Sequence, residues 1–210
     1  MIIRADYNNS PHLGVFCLVN DNHAFVPNSI PKTLEQKIKQ KLEVDIVKTT
    51  MAQSNLLGIL AAMNNKKIIT SSILEKQEIN LLKEYFSEVI VLQQKHTALG
   101  NLIAMNDNGI ITAPLLSEDL KEQGMKIAGT DLIGSATYVN NKAFVTHRDA
   151  DEKEVQQLKK IFKVPGGIGT VNFGDPFVKS AIIGNKKGLI VSTQTSGPEL
   201  NRIDDIFIYD

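Results

Sequence analysis

The sequence has few of the side chains on which catalysis and metal binding depend. Its 210 residues include one cysteine, Cys17, and four histidines. A single cysteine excludes a disulfide within the chain and fits a reducing compartment, which we expect to be the cytoplasm. Cys17 lies in an apolar run, where a cysteine is usually a buried small hydrophobe. The histidines are not spaced as zinc ligands, so we expect no metal and no cofactor.

An excess of charge of one sign and long apolar runs are also absent. Lysine and arginine number 23, as do aspartate and glutamate, which argues against a protein that coats DNA or RNA by bulk electrostatics. No segment approaches the ~20 consecutive apolar residues of a membrane span. No basic region leads into an apolar one at the N-terminus, so we expect no secretory signal. A local RNA contact through Lys66-Lys67 and Lys186-Lys187 stays open.

The sequence does contain an internal repeat. Five segments share an apolar run, an asparagine and a second apolar run that ends six residues after the asparagine. The asparagines are Asn20, Asn64, Asn106, Asn140 and Asn185. Six residues before the asparagine stand Gly14, Gly58, Gly100, Gly134 and, in the fifth segment, Lys179. Five copies in one register indicate five related structural units.

Each unit has the pattern of a β-hairpin followed by a helix and a short strand. Asparagine suits the hairpin turns because it tolerates left-handed backbone angles, and the apolar runs on either side are predicted strands. Capping-box patterns and apolar residues at helical spacing predict four long helices, whereas the third unit has room only for a short one. The expected capping residues are Thr33, Ser72, Asp151 and Ser196. The expected third strands cover 44–47, 89–92, 125–127 and 169–171, with 2–3 and 206–208 in the last sheet.

A glycine-rich stretch at 166–170 superficially resembles a phosphate-binding loop. It lacks the lysine that follows the last glycine of a P-loop, and Pro165 precedes it. We therefore expect a tight loop between two units.

Five such units, with a strand at both chain ends, predict a closed ring, since closure removes bare sheet edges. The predicted fold class is α+β, a five-fold pseudo-symmetric α/β propeller of ββαβ-like units, which describes the pentein architecture. We expect a single domain, 1–210. The units cover approximately 1–48, 49–93, 94–127, 128–168 and 169–210.

Three stretches carry a resemblance to a known family. They are Ala98-Leu99-Gly100-Asn101 leading to Asn106-Asp107, Gly169 to Gly174, and Ile3 to Tyr7 followed by Leu13-Gly14. The chain resembles the translation initiation factor 6 family of archaea and eukaryotes along its whole length. It stops at Asp210 without the eukaryotic tail, so the resemblance implies the archaeal branch.

The resemblance also implies a function. Such proteins bind the joining face of the large ribosomal subunit beside the sarcin–ricin loop, chiefly through a neighbouring ribosomal protein and with nearby ribosomal RNA. They prevent association with the small subunit sterically and take part in large-subunit biogenesis and control of translation initiation. The expected protein is therefore a monomer that does no chemistry.

The rim at which the chain enters each hairpin is the predicted ribosome-binding site. Glycine there would let the backbone of a partner approach, and apolar neighbours would anchor it. On this hypothesis Gly14→Glu leaves the fold largely intact and weakens binding. The predicted binding residues are Gly14, Gly58, Ile59, Leu99, Gly100, Asn101, Gly134, Pro176 and Phe177.

Two alternatives stay open. Pentein enzymes that modify guanidines, such as arginine deiminases, need a cysteine nucleophile late in the chain, a histidine and paired carboxylates. The last unit of this chain has no cysteine and no histidine, so we expect no enzyme. A ring-shaped scaffold for other proteins is the second alternative.

Overall fold

The structure, a computed structural model, describes residues 2–208. Met1, Tyr209 and Asp210, at the ends of the first and fifth predicted units, lie outside the described residues. The strands are β1 (Ile2–Arg4), β2 (Leu18–Val19), β3 (His23–Pro27), β4 (Asp45–Thr49), β5 (Ala61–Met63), β6 (Lys67–Ser71), β7 (Glu88–Leu92), β8 (Ile103–Met105), β9 (Ile110–Thr112), β10 (Gln123–Gly124), β11 (Thr137–Val139), β12 (Phe144–His147), β13 (Gly166–Gly169), β14 (Ile182–Asn185) and β15 (Gly188–Val191). The helices are α1 (Leu13–Phe16), α2 (Lys32–Leu42), α3 (Leu57–Leu60), α4 (Lys76–Tyr85), α5 (Leu99–Leu102), α6 (Ser117–Leu120), α7 (Ile133–Ala136), α8 (Glu152–Phe162) and α9 (Gly197–Phe207), with 3-10 helices at Pro114–Leu116 and Val178–Ala181.

The strands form five three-stranded sheets of one design. In the first four, two consecutive strands pair as an antiparallel hairpin, and the strand after the helix pairs in parallel with the second of them. In the fifth, β14 and β15 form the hairpin and β1 supplies the parallel strand. This arrangement confirms the predicted pentein fold class.

The five repeat asparagines close the ring at one end. Each side-chain amide donates to the backbone carbonyl of the next asparagine, and Asn185 donates to Asn20, which completes the circle. Each side-chain oxygen accepts from the N–H two residues further on, which fixes the hairpin turn. One residue type at one position therefore shapes five turns and joins them. We call this surface the asparagine end.

The long helices bury the apolar stripes that the sequence predicted. Leu34, Ile38 and Leu42 of α2 are buried, and so are Leu158 and Phe162 of α8. In the third unit the 3-10 helix Pro114–Leu116 and α6 replace a long helix, as the sequence indicated. Residues 2–208 contain no helix that is both long enough and apolar enough to cross a membrane.

Two of the four predicted capping residues are right. Asp151 and Ser196 cap α8 and α9 in capping boxes. The prediction that Ser72 caps a helix is wrong, because Glu75 caps α4 and forms a capping box with Glu78. The prediction that Thr33 caps a helix is also wrong, because α2 begins at Lys32 and Thr33 therefore lies inside its first turn.

Several predicted strands are corrected as well. The first apolar run of each unit is divided between a four-residue helical turn and a short strand. Residues 206–208 add no strand, because α9 continues to Phe207. The third strand of the fourth unit lies at Gly166–Gly169, where we expected a loop, and that of the third unit lies at Gln123–Gly124, before the predicted 125–127. Close approach of Phe144 to Gly166 leaves no room for a Cβ there, which accounts for a glycine in this strand.

A candidate docking surface around the ring axis

The end of the ring opposite the asparagine end is built from the short helical turns. These are α1, α3, α5, α7 and the 3-10 helix Val178–Ala181; each contacts the next, and the last contacts the first. Their second residues are the four repeat glycines and Lys179. We call this surface the glycine end. The prediction from sequence that these five residues lie together is confirmed.

The glycines are buried within the ring and not presented to solvent. A Cβ on Gly14 would lie 2.9 Å from the carbonyl oxygen of Ile182 and closer still to that of Lys179. A Cβ on Gly58 would overlap the carbonyl oxygen of Gly14. Neighbouring turns can therefore contact each other only because these positions have no side chain. The expectation that Gly14→Glu leaves the fold largely intact is wrong for this reason.

The remaining predicted residues divide into accessible and buried ones. Ile59, Asn101 and Phe177 are half-buried and line a depression of about 220 Å³ on the axis. Pro176 is half-buried beside them but does not line it. Leu99 has no exposed surface, so the expectation that it anchors a partner is wrong, and it packs in the hydrophobic core instead.

Lys179 crosses the axis from the fifth unit. Its Nζ donates to the carbonyl oxygens of Gly58 (3.1 Å) and Gly100 (2.7 Å), on the other side of the ring. Burial lowers the pKa of this lysine to about 8. Beneath it lies an axial cavity of about 60 Å³, which is also lined by Cys17 and Tyr138. The lysine therefore separates the surface depression from the interior cavity.

A tight turn precedes four of the five helical turns, and sequence reasoning missed it. Isolated bridges join Tyr7 to Ser10, Met51 to Ser54, Ile127 to Thr130 and Val171 to Asp175. Two residues with positive φ lie between the members of each of the first three pairs, and three lie between Val171 and Asp175. The turn-forming residues Asn8-Asn9 and Asn172-Phe173-Gly174 were the available signal.

Three of these turns are held by a helix-capping glutamate. Glu78 accepts from the backbone N–H groups of Ala52 and Gln53, and Glu199 accepts from those of Phe173 and Gly174. At the third turn both carboxylate oxygens of Glu154 accept from one backbone N–H, that of Ala128. Burial alone would raise the pKa of Glu199, but its hydrogen bonds outweigh burial and hold the pKa below the ordinary value. The turns are therefore fixed features of the glycine end.

Large apolar side chains are exposed on this end. Phe173 is 80% exposed at a φ of 62°, and its turn lies four residues before Phe177. Leu56 and Leu132, the residues that lead into α3 and α7, are 37% and 39% exposed. A phenylalanine at positive φ strains the backbone, and its exposed ring is unfavourable in water. Both features are typical of a residue that binds a partner.

The asparagine end is polar, and its groups are satisfied within the chain. The amides of Asn65 and Asn141 each donate to the carboxylates of Asp21 and Asp107, at 2.6–2.8 Å. The lysines that we considered for RNA contact are partly neutralised, since Lys67 pairs with Glu88 (3.1 Å) and Lys187 with Glu43. This end therefore offers less to a partner than the glycine end.

Catalytic groups do not converge anywhere on residues 2–208. Cys17 is buried, and burial raises its pKa to about 12, which removes the thiolate that nucleophilic attack requires. Within the described part of the chain no three histidine, cysteine, aspartate or glutamate side chains are grouped as metal ligands. The buried thiol of Cys17 is therefore not positioned as the nucleophile that the enzyme alternative requires.

Known proteins are similar to the chain. The model of the eIF-6 family matches residues 2–206. Translation initiation factor 6 of Pyrococcus abyssi is 32% identical, over 97% of both chains, and that of Sulfolobus acidocaldarius is 33% identical, over 93% of this chain and 94% of its own. Among solved structures, an agmatine deiminase from C. jejuni matches with a TM-score of 0.47 and 19% identity, covering 73% of this chain and 60% of its own.

Proposed function

The chain belongs to the eIF-6 family, and from that premise we propose that it binds the large ribosomal subunit through its glycine end and thereby prevents the small subunit from joining. The observation that carries the proposal is the exposure of three large apolar side chains, Phe173, Leu132 and Leu56, on the glycine end, where Leu132 also lines the axial depression. Apolar side chains on a rigid frame form the centre of stable protein interfaces. Translation initiation factor 6 is the name of the relatives in both archaea named above.

The mechanism is occupancy of a shared surface. The helical turns are locked by contacts between neighbours and the tight turns by glutamates, so the surface is formed before binding and little entropy is lost. A rigid body on the joining face excludes the small subunit without making or breaking a bond. We infer the same contact during large-subunit maturation and in control of translation initiation.

The contact is chiefly with a ribosomal protein beside the sarcin–ricin loop, together with nearby ribosomal RNA. The apolar side chains of the glycine end support a protein as the main partner, because RNA backbones are bound mainly by cationic side chains. The ring closes within one chain, which supports a monomer. We infer that the protein acts in the cytoplasm because its relatives are translation factors. Asn101 is half-buried at the depression, and we infer that it hydrogen-bonds that partner.

Sedimentation with purified subunits tests the proposal. The protein should migrate with large subunits and reduce the joined-ribosome peak; migration with small subunits, or with neither, would refute it. Phe173→Asp should weaken binding about tenfold or more. The matched control is Ile208→Asp, since Ile208 is 66% exposed just after α9, which ends at the asparagine end. Equal binding by both variants would remove the glycine end from the proposal.

Thiol labelling tests the enzyme alternative. A maleimide should leave Cys17 unmodified in the native protein and modify it after unfolding, because the thiol is buried and its pKa is raised to about 12. Rapid labelling of native protein, together with release of citrulline from arginine, would instead favour a catalytic thiol.

A further inference from the structure

Lys179 is the residue that departs from the five-fold pattern. Four units have a buried glycine at this position, and the fifth places a long cationic side chain across the axis. A glycine there would complete the symmetry of the turns, and a leucine or methionine would fill the same space without charge. The ammonium group therefore adds a property that closure of the ring does not require.

The charge of Lys179 has no carboxylate partner among residues 2–208, whose ion pairs all lie elsewhere. Its two hydrogen bonds, to Gly58 and Gly100, leave one of the three N–H donors of an ammonium group without an acceptor in that part of the chain. A desolvated charge without a counter-charge is unfavourable. The cost would be removed by an anion that enters from outside.

The depression above Lys179 has the features of a site for one small acidic group. Neither the side-chain amide of Asn101 nor the hydroxyl of Ser135 hydrogen-bonds to any described residue, and both residues line the depression. The wall is completed by apolar side chains, among them Leu132 and Phe177. The volume of about 220 Å³ is below the roughly 300–1,000 Å³ of small-molecule sites. It suits a single side chain.

We propose that this depression receives one aspartate or glutamate side chain of a protein partner, whose carboxylate pairs with Lys179 and accepts from Asn101 and Ser135. The proposal rests on the proposed function, because the partner is taken to be a protein of the large subunit. A protein carboxylate is favoured over an RNA phosphate because a phosphate is flanked by two riboses, and the walls are apolar. Among the described residues that line the depression, only Lys179 is charged.

Binding of a carboxylate would be linked to pH. An entering negative charge raises the pKa of Lys179 above its free value of about 8, so affinity is full below that value and falls as pH rises through it. The other titratable groups near the axis are Cys17 and Tyr138, across the interior cavity, and His12, whose Nδ1 lies 3.3 Å from Ser180 Oγ. None of these lies between Lys179 and the depression.

The first test compares affinities for purified large subunits. Lys179→Met keeps the length of the side chain and removes its charge; we expect about tenfold weaker binding near neutral pH. The affinity of the unaltered protein should fall between about pH 7 and about pH 9, and that of the variant should not. Lys160→Met, an exposed lysine on α8, is the control that should match the unaltered protein. Lys179→Gly, with the residue of the other units, replaces Lys179→Met if the latter does not fold.

The second test identifies the acidic group. A carbodiimide joins amines directly to carboxylates in contact, so the complex should yield a peptide that links Lys179 to an aspartate or glutamate of a ribosomal protein. Equal affinity of Lys179→Met and the unaltered protein overturns the inference and leaves the proposed function standing. Weaker binding without such a link, and with loss of the complex after ribonuclease treatment, assigns the pocket to a phosphate and overturns it as well. If the unaltered protein does not bind large subunits, both proposals fail.

Discussion

Replacement of one asparagine should show how much the closed belt contributes to stability. Asn106 is 3% exposed and satisfies its whole amide within the chain. Its Nδ2 donates to the carbonyl oxygens of Asn140 (3.2 Å) and Phe162 (3.0 Å), and its Oδ1 accepts from the N–H groups of Asn108 (3.0 Å) and Gly109 (3.1 Å). Asn106→Ala removes all four hydrogen bonds at once.

The expected cost follows from these bonds and their exposure. Each net hydrogen bond contributes about 1 kcal/mol. The N–H of exposed Asn108 can be hydrated instead, so we expect Asn106→Ala to lower the free energy of unfolding by about 3 kcal/mol. For a chain of this size that corresponds to a decrease in Tm of roughly 6–12 °C.

Asn64 offers a matched comparison in the same belt. It is half-buried, and its Nδ2 makes one donor bond, to the carbonyl oxygen of Asn106 at 3.0 Å. Its turn at Lys66 and Lys67 is open to water, so Asn64→Ala should cost only about 1–2 kcal/mol. Urea and thermal unfolding of both variants, followed by far-ultraviolet circular dichroism, gives the two values. A cost for Asn64→Ala equal to or greater than that for Asn106→Ala would refute the reasoning.

Three further changes give independent tests by unfolding measurements. Gly58→Ala should destabilise by about 3 kcal/mol or more through overlap with the neighbouring turn, whereas Gly197→Ala, whose added Cβ would meet no atom within 4 Å, should change stability little; equal effects would contradict the packing argument. Phe173→Asn should stabilise by a few tenths of a kcal/mol, because asparagine tolerates the φ of 62°; a clear loss would mean that the phenylalanine packs in the native protein. Hydrogen bonds lower the pKa of Glu199 in the folded state, so its contribution is present above the ordinary value of 4.5 and is lost as pH falls below it. Glu199→Gln should reduce the slope of stability against pH in that acid range, and an unchanged slope would contradict the assignment.

The sequence predicts the ring because each unit repeats the same local rules. An asparagine at a fixed distance from two apolar runs specifies a turn, and the turn sets the register of the hairpin. The helical stripes, such as Leu34, Ile38 and Leu42, depend on spacing alone and are equally visible. The third unit is predicted to lack a long helix since too few residues separate its hairpin from Gly124.

Other features depend on contacts between distant residues and could not be predicted. A run of four apolar residues such as Leu57–Leu60 is compatible with either a strand or one helical turn. The sequence does not distinguish a glycine that leaves room for a binding partner from one that leaves room for a neighbouring turn. Gly58 leaves room for a neighbouring turn, because a Cβ there would overlap the carbonyl oxygen of Gly14. Leu99 is as apolar as an anchor residue in sequence, and only its complete burial shows that it cannot contact a partner.

The candidate site was found only in part for the same reason. Ile59, Asn101 and Phe177 lie on the rim that the predicted ring of repeats indicated, and their role in binding stays a prediction. The exposure of Phe173 depends on a tight turn clamped by Glu199, 26 residues away. The position of Lys179 across the axis depends on carbonyl groups of two other units, and no local pattern indicates it.

The pairing of β1 with β15 has a consequence for synthesis of the protein. Each of the first four sheets comes from one continuous stretch and can form while later residues are still being added. The fifth must wait, because Ile2 in β1, which is made before the other strands, pairs with Leu189 in β15. Until then the nascent molecule is an open arc with unpaired edges, and Lys179 has no closed circle to span. Only a chain that has been translated through β15 therefore presents the axial depression, so a product interrupted before β15 could not compete for the same partner.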